Sequence, residues 1–328
     1  DTDLPVESTF NAHRHIGDTG WGLPIEHIGS SHATGAWGFS PIMTSLDDSK
    51  KLRHPEVTYD AASTERDLKL AQDVLGDILD VQSVGIAHAA CHLTQMLTQW
   101  RGMDQVCLDM LDDPEWVHDT MAFLAEGMCG LTRQWDALNL FSLNNRGEYQ
   151  SSGGVGYIDE LPGADFDSAH VHPHNLWGSA ESQEMTMISP DMHRDLVMRY
   201  EARFLEPFAL NGYGCCDDLS EKLEAVCALP NMRRISISPF ARVPRAAEQL
   251  ENRYILSWKP PPSDLVGSFD EQAVRTHIRD ALEAARRHNC VIEMILKDTH
   301  TCEHHPERFT RWSQIAREEV NRICMTPA

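Results

Sequence analysis

From residue 189 onward the chain alternates short apolar runs with longer helical patterns, and this constrains its fold more than any other feature. Ser189-Pro190-Asp191 starts a helix. Serine is a good cap, proline suits the first turn, and Met192, Leu196, Val197, Tyr200, Phe204 and Leu205 recur at helical spacing. An apolar run over 207–210 follows, then a helix over about 219–229. Further strands are expected over 234–238, 254–258 and 291–296, with helices around 244–250, over 270–288 and over 306–324. About four βα units in succession, with helices much longer than strands, argue for a parallel sheet. No Gly-x-Gly-x-x-Gly follows these strands, so a dinucleotide-binding sheet is unsupported. The 328-residue length fits an α/β chain with a (β/α)8 barrel, a single domain over 1–328 with long βα loops.

The first half is less regular. Residues 1–60 are rich in Gly, His, Trp and Pro and read as loops and short strands. A helix is expected over 63–80, with Leu68, Ala71, Val74, Leu75, Ile78 and Leu79 on one stripe, and another over 112–139. Residues 144–180 carry little helix signal, which marks a functional loop set. The start, Asp1-Thr2-Asp3-Leu4-Pro5, has neither a basic nor an apolar leader region and reads as no signal peptide. Without an initiator Met, the chain reads as trimmed or partial.

Fifty acidic against 28 basic side chains give a net charge of −22. Nucleic acid and anionic membrane both require a basic footprint, so neither is expected as the main partner. No apolar run reaches the length of a membrane span. The nine cysteines form no small secreted framework, so a reducing, cytoplasmic setting with mostly free thiols is expected.

Two clusters carry the chemistry. Gly212-Tyr213-Gly214-Cys215-Cys216 follows one apolar run, and Lys297, Asp298, His300 and Cys302 follow another. Parallel strand ends converge in a barrel, so two thiols, an imidazole and a third thiol can close on one soft metal ion. The vicinal thiols can equally pack under the turn, and His300 and Cys302 can lie on a surface loop. Lys297 and Asp298 read either as a substrate-orienting or acid pair or as a structural ion pair. In His170-x-His172-x-His174, alternate residues share a face, but Pro173 interrupts a strand. A polar loop at the barrel mouth, with His172 and His174 meeting substrate, is favoured over a metal site. Arg146 can hold a carboxylate or phenolate or be a solvated charge; Asn144 and Tyr149 flank it before the turn over 151–154. Trp177, Met185 and Met187 can wall a substrate, although such residues more often pack in a core.

Taken together, Ser182-Gln183-Glu184, Ile188-Ser189-Pro190-Asp191-Met192 and Gly212-Tyr213-Gly214-Cys215-Cys216 form a familiar pattern. Asn144, Ser152-Gly153-Gly154, Asp159-Glu160-Leu161-Pro162, Leu296-Lys297-Asp298 and Pro306-Glu307-Arg308 extend it. The chain thereby resembles the uroporphyrinogen decarboxylase superfamily from about residue 40 onward, and within it the corrinoid-dependent methyltransferase branch. That resemblance implies a TIM barrel. It also implies methyl transfer from a small methoxylated or methylated compound, an aryl methyl ether foremost, to a cobalamin. No Asp-x-His-x-x-Gly occurs here, so the cobalamin is expected on a separate corrinoid protein. Zinc-dependent members pair His-x-Cys with a distant Cys. Here Tyr213 stands at the histidine position, and His300-x-Cys302 comes later.

The implied zinc ligands are Cys216, His300 and Cys302 with Glu184, and Cys215 as the alternative thiol; Glu181 is the next carboxylate. Zinc would act as a Lewis acid on the leaving oxygen. Glu184, Lys297 and Asp298 are the expected catalytic residues. Asn144, Arg146, Tyr149, His172, His174, Trp177 and Tyr213 are the expected substrate contacts. The expected partners are the corrinoid protein, the methyl donor and a second copy of the chain in a homodimer. The alternatives are a metal-free, decarboxylase-like lyase acting on an acidic substrate and a catalytically silent binding protein.

Overall fold

The computed structural model describes residues 6–29, 38–150, 152 and 154–325. The first five residues, in which no leader pattern was read, lie outside them, as do Ser151 and Gly153 of the 151–154 turn.

Among the described residues eight short strands run parallel. They are β1 (Thr9–His13), β2 (Asp80–Val84), β3 (Ala90–Cys91), β4 (Trp177–Ala180), β5 (Leu210–Tyr213), β6 (Met232–Ile237), β7 (Ile255–Trp258) and β8 (Val291–Met294). One sheet has the order β8-β7-β6-β5-β4-β3, and β1 pairs with β2 separately. A single parallel bridge, Ile86 to Phe141, stands between the two systems. Among the described residues no ladder joins β8 to β1. The expected barrel is therefore corrected to an α/β fold with a six-stranded parallel sheet. The physical difference lies at the margins. The residues of β4 and β5 are all buried, whereas β1 and β2 carry mostly half-covered or exposed side chains.

The alternation from residue 189 is realised with shifted boundaries. Its helices include α1 (Pro190–His193), which passes through a wider π turn at Arg194–Met198 into α2 (Arg199–Leu205). Ser189 caps the start, accepting from the Met192 amide at 3.2 Å. The strand expected over 207–210 lies at Leu210–Tyr213 instead, and Pro207 can donate nothing to a ladder. Downstream come α3 (Leu223–Cys227), α4 (Val243–Leu250), α5 (Glu271–Arg287) and α6 (Glu307–Met325). Glu319 is buried on α6 between Arg279 (2.9 Å), Arg322 (2.9 Å) and Arg275 (3.3 Å), which ties α5 to α6.

In the first half, the helix expected over 63–80 runs Ala61–Leu75, and its cap is Asp60, which accepts from the Ser63 amide, not Ser63 or Thr64. Its expected apolar stripe is not buried: Val74 is 60% exposed, and Ile78 beyond the helix end is 72% exposed. The long helix at Pro114–Ala137 does bury one side, including Val117, Met121, Leu124 and Leu131. No helix among the described residues is long and apolar enough to cross a membrane.

Candidate functional site

The turn after β5 positions the paired thiols. Gly214 has φ +93, and a Cβ there would stand 2.7 Å from Leu219 Cδ1, so only glycine fits. The buried Asp217 carboxylate accepts from the Cys215 amide at 3.1 Å and fixes the turn. Cys215 is buried and Cys216 half-buried, with their sulfurs 3.6 Å apart.

The chain after β8 supplies the partners. Lys297 Nζ donates to Cys215 Sγ at 3.1 Å and to Ser152 Oγ at 2.6 Å. Asp298, in the left-handed region at φ +58, places Oδ2 3.4 Å from Cys216 Sγ. Glu181, just beyond β4, lies against Cys215, with His92 Nε2 3.8 Å from its Oε1. Tyr149 sits at the exposed rim, close enough for its hydroxyl to feel Lys297, Cys215, Asp298 and Glu181.

This packing separates the charges. The Cys216 thiol, Ser152 and Lys297 act together to draw the Cys215 thiol well below its ordinary range, against the opposing effect of burial. Cys216 moves up, chiefly because it donates to that thiolate and secondly because it is buried. Burial alone would lower Lys297, but the Cys215 thiolate outweighs it and holds the ammonium charged. Burial and the adjacent Cys215 anion push the Glu181 carboxyl up to about 8. Below the cluster Lys259, just after β7, is buried, lowered by desolvation to about 8 and bonded to Ser257. Arg234 pairs with Glu293 at 2.9 Å and covers the Trp177 ring at 4.8 Å.

The structure brings Cys215, Cys216, Lys297, Asp298 and Tyr149 together. The expected zinc set is not assembled. Among the described residues no three of Cys215, Cys216, Glu184, His300 and Cys302 bring ligand atoms within 4.8 Å of one another. No carboxylate or imidazole ligand atom lies that close to both sulfurs either. A zinc site needs three or four ligands, and here the Lys297 ammonium already lies against the thiolate as its counter-cation. These residues do not fit a zinc ion. His300 is exposed, and Glu184 accepts from Thr94 Oγ1 at 2.7 Å. Glu184 and Cys216 line one cleft of about 360 Å³ with Gln183, Thr186, Asp218 and Phe240.

Several expected substrate contacts are also corrected. Asn144 is fully covered and bridges to the Trp177 backbone at both its carbonyl and amide. Trp177 is 1% exposed, and its indole N–H donates to Gly156. Tyr213 has no exposed surface; its hydroxyl lies 2.8 Å from both Ser182 Oγ and Glu201 Oε2. Groups so enclosed shape walls and cannot meet a diffusing ligand. Met185 is core as well, while Met187 is 87% exposed. His172 and His174 precede β4 and therefore lie at the N-terminal edge of the strands, not at the mouth. Arg146 lines a second cleft of about 600 Å³ with Asn145, Tyr157, Ile158, Asp159 and Leu161.

Sequence reasoning missed Lys259 and His92. Lys259 carried a signal, a lone cation directly after an apolar strand. His92 carried none, because only the fold brings it to Glu181.

No family model matches this chain, and no curated protein matches it. Among solved structures, it is similar to a methyltransferase from Methanosarcina mazei at 11% identity. The match covers 83% of this chain and 74% of that one, with a TM-score of 0.42. A likeness that distant assigns neither activity nor site.

Proposed function

We propose that this chain is a methyltransferase built on this α/β frame. It would take a methyl group from a small methoxylated compound, an aryl methyl ether foremost, and pass it to a cobalamin on a separate corrinoid protein. The carrying observation is the convergence of Glu181, Cys215 and Lys297 at the C-terminal edge of the parallel strands, where α/β enzymes of this kind place their chemistry.

An aryl or alkyl oxygen leaves poorly as an anion. Breaking its bond to methyl is eased when a proton arrives as negative charge develops. Glu181 keeps its proton at neutral pH and lies against Cys215, so in this reading it is the acid. The C–O pair stays on oxygen, Glu181 gives its proton to that oxygen, and the alcohol or phenol departs; solvent then reprotonates the carboxylate. Lys297 adds positive charge beside the same oxygen. The Cys215 thiolate holds Lys297 in place and keeps Glu181 protonated. The corrinoid supplies the nucleophile that accepts the methyl group. Phe240, 76% exposed, lines the cleft and would offer an apolar surface to a broad macrocycle.

The test incubates the chain with a panel of methoxybenzenes and cob(I)alamin and measures free phenol by chromatography. Corrinoid-dependent phenol release that Glu181→Gln abolishes supports the proposal. Carbon dioxide release from an acidic substrate, or methoxybenzene binding without turnover, refutes it.

A further inference from the structure

A second cluster lies at the opposite edge of the sheet. Asp136 sits in the last turn of the helix at Pro114–Ala137, and His170 and His172 precede the 3-10 turn at Pro173–Asn175 that leads into β4. Asp136 Oδ1 lies 2.8 Å from His172 Nδ1 and 3.2 Å from His170 Nε2. Among the described residues this is the one group of three or more such ligand atoms that lie within 4.8 Å of one another. The two imidazole rings stack with centroids 4.0 Å apart, and His174 stacks on His172 at 5.3 Å.

We propose that Asp136, His170 and His172 form a binding site for a divalent first-row transition cation, with zinc as the probe that tests it. Two imidazole nitrogens sharing one carboxylate oxygen already form the arrangement that a cation would make by replacing their N–H protons. Two nitrogens and one oxygen suit zinc, cobalt, nickel or copper and do not suit calcium or magnesium, which take oxygen ligands. The frame is built before any ion arrives. Asn139 Nδ2 donates to the Ala169 carbonyl at 2.9 Å, and the His172 amide donates to Asn175 Oδ1 at 3.0 Å. The His170 Nε2 contact to the Asp136 carbonyl, 2.8 Å, gives way when that nitrogen turns to the ion.

All three side chains keep about a third of their surface open, so an ion can enter and a water can complete its shell. The placement assigns the role. Residues at the N-terminal edge of such strands serve stability, and this triad joins the end of one long helix to the lead-in of β4, two segments more than 30 residues apart. Bound zinc would clip them together. The site shares no residue with the thiol cleft and stands independently of the proposed reaction.

The experiment dialyses the full chain against zinc and counts bound metal in the parent chain, His170→Gln, Asp136→Asn and the Cys215→Ser/Cys216→Ser double variant. The expected result is one zinc per chain fewer in the first two variants, with that zinc kept in the thiol variant. Zinc is also expected to raise the thermal midpoint of the parent chain but not of His170→Gln. Equal zinc content in the parent chain and His170→Gln, or its loss with the thiols, would overturn the proposal. Should the variants fail to fold, anomalous diffraction from zinc-soaked crystals of the unaltered chain decides. A peak among Asp136, His170 and His172 supports the site, and no peak there refutes it.

Discussion

Glu181→Gln should flatten the pH dependence of stability, because Glu181 titrates at a different pH in the native and unfolded chains. Its carboxyl stands at about 8 when folded against an ordinary 4.5, with burial the first cause and Cys215 the second. Between those values the native chain holds a proton that the unfolded chain has released. Stability from this group is therefore complete below pH 4.5 and is lost as pH rises to 8. At 1.36 kcal/mol per pH unit, the loss between pH 5.5 and pH 7.5 is about 3 kcal/mol. The side chain is only 18% exposed, so solvent screens little of this. Glutamine keeps the shape and has no proton to lose. Urea unfolding of both proteins at the two pH values measures the difference directly, since the other titrating groups, such as the buried Glu201, are common to both. Glu181→Gln is expected to lose about 3 kcal/mol less than the parent chain over that interval. Parallel pH profiles would refute the assignment, and with it Glu181 as the acid.

Three further outcomes are expected. The ultraviolet absorbance of a thiolate should persist at pH 6 and should be lost in Cys215→Ser and reduced in Lys297→Met, because Cys215 is buried yet drawn well below the ordinary thiol range. Gly214→Ala should cost about 1–3 kcal/mol in urea unfolding, because alanine at φ +93 is strained and its methyl meets Leu219. Glu319→Ala leaves three arginines without their shared carboxylate and should cost about 3 kcal/mol at pH 7. In the parent chain the arginines, Arg279 first, hold Glu319 at about 2, so its contribution is present above pH 4.5 and fades as pH falls towards 2.

The second half of the fold was legible because each strand there is a short apolar run closed by Gly, Pro or Asp and followed by a helix with its own start signal. Ser189 and Asp270 cap helices as their side chains require. The 207–210 strand was misplaced because apolar character does not reveal which residues pair. Leu210–Tyr213 is the segment whose backbone pairs with β4 on one side and β6 on the other, and all four of its residues are buried. The stripe over Leu68–Leu79 showed the opposite failure: periodicity was present, but Leu68, Ala71, Leu75 and Leu79 are only half-covered while Val74 and Ile78 stay exposed.

The amino-acid order by itself determined the parallel βα rhythm, the glycine turn that carries two thiols and the arrival of Lys297 and Asp298 at a strand end, because each follows from local spacing and backbone sterics. Only the tertiary structure decided which groups meet. It set Lys297 against Cys215 where a metal was expected and buried Tyr213 in a hydrogen-bonded core. It also carried Asp136 across more than 30 residues to His170 and His172. Contacts of that kind depend on how far elements are packed and turned in space, which local patterns of residues do not encode.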